Sequence, residues 1–306
     1  MKRSVCSLLL ILMAISAAFG QQKRWAVVEL SGIYMRIAPD YESALETQEL
    51  MGTIVEVVGE KGYWREIISP QPYKAWCTEK GIVEMSEQEI EVYKAAPKCI
   101  YKELYGHIYE QPSSKSATIC DLVGGDIMRI VSGARKRGWT QVMLPSGKTG
   151  WVPSSQVRTH EDFISIAKGE GNSESISDAL MEDIIAEAFK HKGAPYLWGG
   201  MTAKGVDCSG LVRISYLMNG VLLPRNASQM VHCGDEVSLD SLQRGDLVFF
   251  GTPAKDGAKQ RVTHVGIYIG NGRIIHSSHM VRVNSLNPDQ PDYYENAHKL
   301  IAARRL

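Results

Sequence analysis

The sequence predicts an α+β protein in which two small all-β barrels precede a larger domain of mixed helices and strands. Three observations predict it. One segment of the first half occurs twice at a nearly constant offset. Long helical periodicity sets in only after Ser175. A cysteine followed by five histidines then concentrates chemistry in the C-terminal third.

The 306 residues carry 34 Lys+Arg against 34 Asp+Glu and 44% hydrophobic content. That length accommodates two or three domains. Charge balance argues against a nucleic-acid partner or a polybasic membrane-surface protein. Residues 1–20 read as a signal peptide: Lys2 and Arg3, an apolar run from Leu8 to Ile15, then Ser16-Ala17-Ala18-Phe19-Gly20 before a mature start at Gln21. The run is shorter than the ~20 residues that span a bilayer, and Cys6 lies before it, not at its end as in a lipoprotein. Without Lys2 and Arg3 the mature chain has 32 basic and 34 acidic groups, net −2. The expectation is an exported, periplasmic or extracellular monomer with no stable membrane insertion.

Within the repeat, Pro39 and Pro112 stand 73 apart, as do Gly52 and Gly125. Trp64 and Trp139 stand 75 apart, as do Trp76 and Trp151. Ile54-Val55-Glu56-Val57-Val58 matches Ile127-Met128-Arg129-Ile130-Val131. Short apolar runs between Gly/Pro/Ser turns describe a small barrel used twice. The segment Lys148-Thr149-Gly150-Trp151-Val152 resembles the late strand of bacterial SH3-like domains, which implies binding or positioning on cell-wall material. The first copy departs, with Tyr73-Lys74-Ala75-Trp76-Cys77. The tryptophans read as core or rim residues. The division is a first SH3-like domain over 21–86, a second over 87–160, a linker over 161–175 containing Lys168-Gly169-Glu170-Gly171-Asn172-Ser173, and a C-terminal domain over 176–306.

With Cys6 removed, Cys77, Cys99, Cys120, Cys208 and Cys233 remain. An odd count in an oxidising compartment leaves a free thiol, with a Cys99–Cys120 bridge as one arrangement for two of the others. In the C-terminal third, Ser177 caps a helix stapled by Ile176 and Met181. A second helix starts at Cys208, with Leu211, Ile214 and Met218 on one face, Asp207 able to cap, and Asn219-Gly220 at its end. A helix N-terminus stabilises a thiolate, and its N–H groups can hold an oxyanion. The plainer alternative is a buried structural cysteine.

His232, His264, His276, His279 and His298 follow Cys208. Val262 to Ile269 alternates like a strand, and Gly270-Asn271-Gly272 marks a turn. With a three-residue loop centred on Asn271, 266 faces 276, and His264 and His276 become diagonal neighbours on one sheet face. Gly266 then removes the side chain that would crowd them. A two-residue turn would place His264 opposite His279. A zinc site from Cys208, His264 and His276 is a competing chemistry.

Five blocks in order carry a closer resemblance: Tyr196-Leu197-Trp198-Gly199-Gly200, Asp207-Cys208-Ser209-Gly210, Pro224-Arg225-Asn226-Ala227-Ser228-Gln229, Gly245-Asp246-Leu247-Val248-Phe249-Phe250 and His264-Val265-Gly266-Ile267-Tyr268. They resemble the NlpC family of bacterial cell-wall cysteine peptidases. The resemblance implies a papain-like catalytic domain with Cys208 as nucleophile, His264 as general base and His276 as the residue orienting it. It also selects the three-residue loop, and it implies no metal and no organic cofactor. Paired SH3-like domains ahead of such a domain resemble the γ-D-glutamyl-L-diamino-acid endopeptidases of the dipeptidyl-peptidase VI type. In that subgroup the first SH3-like domain folds against the active site and restricts substrate to murein peptides with a free N-terminal L-Ala. Its tyrosine corresponds to Tyr73. Trp198 would wall the cleft, and Asp207, Ser209, Ala227 and Ser228 correspond to residues flanking substrate. The subgroup's acidic contact aligns near Ala44, with Glu42 and Glu46 as neighbours. Two other functions stay open on the residues: a broader peptidoglycan endopeptidase or amidase acting on intact wall, and a non-catalytic wall-binding module.

Overall fold

A computed structural model describes residues 23–70, 73–160, 164–165, 176–254 and 259–306. The expected signal peptide and the glycine-rich linker segment 168–173 lie outside the described residues. Seven strands form the first sheet: β1 (Arg24–Val28), β2 (Ile33–Arg36), β3 (Leu45–Glu49), β4 (Ile54–Lys61), β5 (Trp64–Ile68), β6 (Lys74–Thr78) and β7 (Ile82–Met85). Seven more form the second: β8 (Lys98–Tyr101), β9 (Tyr105–Tyr109), β10 (Thr118–Val123), β11 (Ile127–Lys136), β12 (Trp139–Met143), β13 (Thr149–Pro153) and β14 (Val157–Thr159). The spatial orders are β3-β2-β6-β5-β4-β1-β7 and β10-β9-β13-β12-β11-β8-β14, the same path with every label advanced by seven. The repeat in the sequence is thus a repeat of topology.

Each barrel has its own core. Alternate residues of β1, β2, β4 and β5 (Ala26, Val28, Ile33, Met35, Val55, Val57, Ile67) fill the first, as period-two burial requires. Cys77, which replaces valine in the first late strand, belongs to that core. Of the four repeat tryptophans, Trp64 and Trp151 are buried while Trp76 and Trp139 are half-buried. The mixed polar stretch between the barrels is helix α1 (Glu87–Ala95), opened by a Ser86–Glu89 capping box. Its Ile90 and Tyr93 pack on Val27 of the first barrel.

The turn between β3 and β4 joins three bodies. Met51 enters the core of the second barrel, and its N–H is accepted by the buried Asp126 carboxylate at 3.1 Å. Leu50, one residue earlier, packs with Val123 of the second barrel and with Ile214 and Leu217 of the C-terminal domain. Burying two such side chains contributes roughly 3–5 kcal/mol to this junction.

The C-terminal domain contains α2 (Asp178–Lys190), α3 (Cys208–Leu217) and the short α4 (Ala227–Met230). Two short pairings add β15 (Ile164–Ser165) with β18 (Val221–Leu222), and β16 (Met201–Thr202) with β17 (Gly205–Val206). The main sheet runs β19-β24-β20-β21-β22-β23, from β19 (Asp235–Glu236), β20 (Leu247–Thr252), β21 (Arg261–Gly270), β22 (Arg273–Ser278), β23 (Met280–Ser285) and β24 (Leu300–Arg305). Leu247, Phe249, Val265, Ile267, Ile275 and Val281 on one face pack against the helices. Val248, Phe250, Ile274, Ala303 and Tyr294 cluster on the other. A helix layer on one face of an antiparallel sheet is the papain-like α+β arrangement expected.

No disulfide joins the five cysteines among the described residues. Cys99 points into the second barrel's core instead of pairing with Cys120.

Candidate active site

Helix α3 begins at Cys208 because Asp207 caps it. The Asp207 carboxylate accepts the N–H of Gly210 at 2.6 Å and of Gly199 at 2.9 Å. The first of these bonds is the capping bond, and the second ties the glycine-rich approach to the helix end. Cys208 is 7% exposed. Its Sγ faces the backbone N–H groups of Ser209 and Val265, so the helix tip stands against β21 beside His264.

The hairpin β21–β22 combines both turn readings. Asn271 (φ 53°) and Gly272 (φ 69°) form a two-residue turn, the type that requires positive φ at both positions. An irregularity between Tyr268 and Gly270 then shifts the register, so that Tyr268 faces Ile274 and Ile267 faces Ile275. The pairing of the three-residue reading results, and His264 and His276 meet with Nε2 and Nδ1 2.8 Å apart. A Cβ on Gly266 would stand 3.2 Å from that of His276, so the glycine makes room for the pair.

Asn284 on β23, which the sequence reading missed, extends the contact. Its Oδ1 lies 2.9 Å from His276 Nε2, and its Nδ2 donates to the carbonyl of Asp292 at 2.7 Å. A carbonyl only accepts, so the Asn284 amide is oriented with Oδ1 toward His276. His276 therefore carries its proton on Nε2 and accepts at Nδ1 from His264 Nε2–H. His264 is left with its Nδ1 lone pair, the form of a base. With His276 Nδ1 and Nε2 both engaged, that ring has no lone pair for a zinc ion. Tyr294 covers the pair edge-on, 4.6 Å from the His276 ring.

The electrostatics correct one expectation. The helix end does not leave a thiolate at rest. Burial, with the Asp207 carboxylate next in weight, pushes the Cys208 thiol up to about 11, against the N–H groups and Arg225. Burial, then His276, pushes His264 down to about 3. Burial pushes His276 down to about 4 against its Asn284 bond. Desolvation outweighs the helix dipole, and the resting pair is a neutral thiol beside a neutral imidazole.

Arg225 organises the other side of the cleft. Its guanidinium forks onto both oxygens of Asp207 (3.0 and 2.7 Å) and donates to Ser209 Oγ at 2.9 Å. Its Nε donates to Thr47 Oγ1 of the first barrel at 2.8 Å. Met201 N donates to Gln48 Oε1 at 2.8 Å along the same seam. Tyr73 reaches across with its hydroxyl 3.0 Å from Asn226 Nδ2. Glu46, not position 44, supplies an acid here: it hydrogen-bonds Tyr73 and, with burial as the larger cause, raises that hydroxyl above its ordinary value. Gly199 (φ 75°) lies so close to Glu46 that a Cβ would be 2.9 Å from its carbonyl oxygen.

The remaining residues scatter. Ala227 is buried in the core, Ser228 is exposed on α4, and Trp198 is 65% exposed. Asn226 is the N-cap of α4, with Gln229 completing a capping box.

A thiol on a capped helix against a sheet-borne imidazole defines a papain-like peptidase fold. Residues 193–300 match the model of the NlpC/P60 family, so the C-terminal domain is an NlpC/P60 domain. The peptidases of this family are cysteine peptidases. The chain is 28% identical over 267 residues to a γ-D-glutamyl-L-lysine dipeptidyl-peptidase of Bacillus cereus, covering 82% of this chain and 73% of that one. It is 26% identical to dipeptidyl-peptidase 6 of Lysinibacillus sphaericus, covering 87% and 93%. The crystal structure of an NlpC/P60 family protein from Bacillus cereus superposes with a TM-score of 0.74 at 23% identity, over 92% of this chain and 99% of that one, so the three-body fold is shared.

Proposed function

We propose that the chain is an exported cysteine endopeptidase that hydrolyses the γ-D-glutamyl–L-diamino-acid bond of murein peptides with a free N-terminal L-Ala, releasing L-Ala-γ-D-Glu during cell-wall peptide turnover. The observation that carries this is the directed hydrogen-bond series Asp292–Asn284–His276–His264, which leaves the lone pair on Nδ1 of His264, the residue before Val265, whose N–H faces Cys208 Sγ. As Sγ attacks the amide carbonyl, its proton passes to His264 Nδ1, and the N–H groups at the head of α3 face the developing oxyanion. His264 then protonates the leaving amine, and water activated by the same imidazole cleaves the thioester. His276 is the positioning residue.

The substrate assignment rests on the seam with the first barrel and on the relatives' names. Tyr73 and Glu46 stand where a phenol and a carboxylate can receive an ammonium group. The Asp207 charge is neutralised by Arg225, which leaves Glu46 as the acid for that cation. Digestion of L-Ala-γ-D-Glu-L-Lys, with and without an acylated N-terminus, tests the reading by mass analysis. Faster release of L-Ala-γ-D-Glu from the free peptide than from the acylated one supports it. Loss of cleavage in Cys208→Ala ties it to the thiol, and full activity in that variant would sink it.

A further inference from the structure

Beyond His264, on the side away from the first barrel, lies an open cavity of about 620 Å³. His264 and Tyr294 form part of its wall, and Ser278, His279, Asn296 and Lys299 supply its polar groups. Among the described residues no Asp or Glu lines it. Lys299 donates from Nζ to the neutral Asn296 Oδ1 at 2.7 Å, and among the described residues it forms no ion pair. Its charge is therefore placed but uncompensated. His279 adopts φ 60° in the turn between β22 and β23, a conformation disfavoured for a residue with a Cβ. The N–H of Tyr196 donates to its carbonyl at 2.9 Å and holds that turn.

We propose that this cavity receives the leaving diamino acid and selects one bearing a free carboxylate, with Lys299 as the specificity-determining residue. The inference rests on the reading under Proposed function. Its direction follows from acyl transfer: the imidazolium of His264 must reach the leaving nitrogen, so the leaving residue lies where His264 faces open space. The first barrel closes the opposite direction through Glu46 and through Tyr73, which meets Asn226 of the C-terminal domain. A cation held by a neutral amide, among hydroxyls and with no competing acid among the described residues, suits a carboxylate. The α-carboxylate of a terminal diamino acid and the second carboxylate of diaminopimelate share this chemistry.

The test measures kcat/KM of the full chain on L-Ala-γ-D-Glu-L-Lys, on its C-terminal amide, and on the diaminopimelate peptide as acid and as α-amide. The wild type should prefer the lysine acid over its amide by roughly tenfold. Retained preference in the diaminopimelate α-amide assigns the side-chain carboxylate, and loss there assigns the α-carboxylate. Lys299→Met should bring the acid-to-amide ratio close to one, and Lys299→Arg should restore most of it. Equal cleavage of acid and amide by the wild type, or an unchanged ratio in Lys299→Met, overturns the inference while leaving the proposed function intact. Cleavage of none of the four peptides overturns that function itself.

Discussion

The two barrels share one topology and divide the labour. Leu50 and Val123 stand 73 apart and pack against the same Ile214–Leu217 face of α3. Gln48 and Asp121, also 73 apart, bond the 201–204 segment through Met201 N and Lys204 Nζ. Docking is thus common to both copies. Among the described residues the cleft belongs to the first copy: Tyr73 meets Asn226 and Thr47 meets Arg225, where the second copy has the exposed Lys148 and the half-buried Cys120. A few side chains at fixed places in one sheet separate the copy that meets the Arg225–Asn226 turn from the copy that does not.

The strongest way to break that difference is Arg225→Met. It leaves the Asp207 carboxylate buried without its partner, and removing one member of such a pair costs about 3–5 kcal/mol. Urea denaturation should show the loss, and kcat/KM should fall with it, because Asp207 caps the helix that carries Cys208. An unchanged midpoint would mean that Arg225 does not tie the first barrel to the cleft. The next effect compares the docking residues. Leu50→Ala should cost about 2–4 kcal/mol and Val123→Ala about half as much, the ratio following the volume removed from one shared cluster. Equal costs would argue against Leu50 as the deeper contact.

Acid separates the barrels from the catalytic domain. His264, His276 and His191 are held near 3, 4 and 4 by burial, whereas an unfolded histidine titrates near ~6.5. Below that value the unfolded chain takes up protons that the folded one refuses, so stability falls as pH drops from about 6.5 toward 4. At pH 5 the loss is roughly 2 kcal/mol each for the buried His276 and His191, and smaller for His264, which borders the open cavity. Asp126 in the second barrel has the opposite sign: burial raises its folded value, so the folded state binds its proton first and gains stability as pH falls. Hydrogen exchange at pH 7 and pH 5 should therefore show β21 to β23 losing protection before β8 to β14. The reverse order would refute the assignment.

Much of this was readable from the residues. The 73-residue offset announced two copies of one barrel, and Asp207-Cys208 with its downstream helical face announced a cysteine at the head of a capped helix. Three features were not readable, each for a physical reason. Asn284 depends on the register of β23, and its hairpin is closed by His279, a residue that does not announce positive φ as glycine does. The register shift between Met35 and Arg36 hides which of positions 42 to 46 turns toward the cleft. Arg225 sits in a Pro-Arg-Asn-Ala turn that reads as surface, because charged side chains are buried only when paired and its partner lies 18 residues earlier with a further bond to another domain. The Cys208 thiol follows the same rule: a helix end is visible in sequence, whereas its burial is a property of the assembled fold.

The smallest effect is the sharpest test of why the barrels diverged. Tyr73→Phe removes one hydroxyl that bonds Asn226 and Glu46 and leaves the ring in place. Deleting a hydrogen bond to a charged or well-positioned partner costs about 1–1.5 kcal/mol, equivalent to roughly five- to tenfold in kcat/KM. That loss should fall on peptides with a free L-Ala and spare acylated ones, because an acylated nitrogen carries no charge for the Glu46–Tyr73 corner to receive. Lys148→Met, at the equivalent place in the second barrel, should change neither rate nor preference. Equal losses on free and acylated peptides in Tyr73→Phe would make the tyrosine a strut between barrel and cleft. Loss of preference in Lys148→Met would mean that the second copy also touches substrate, and the division of labour between the barrels would fail.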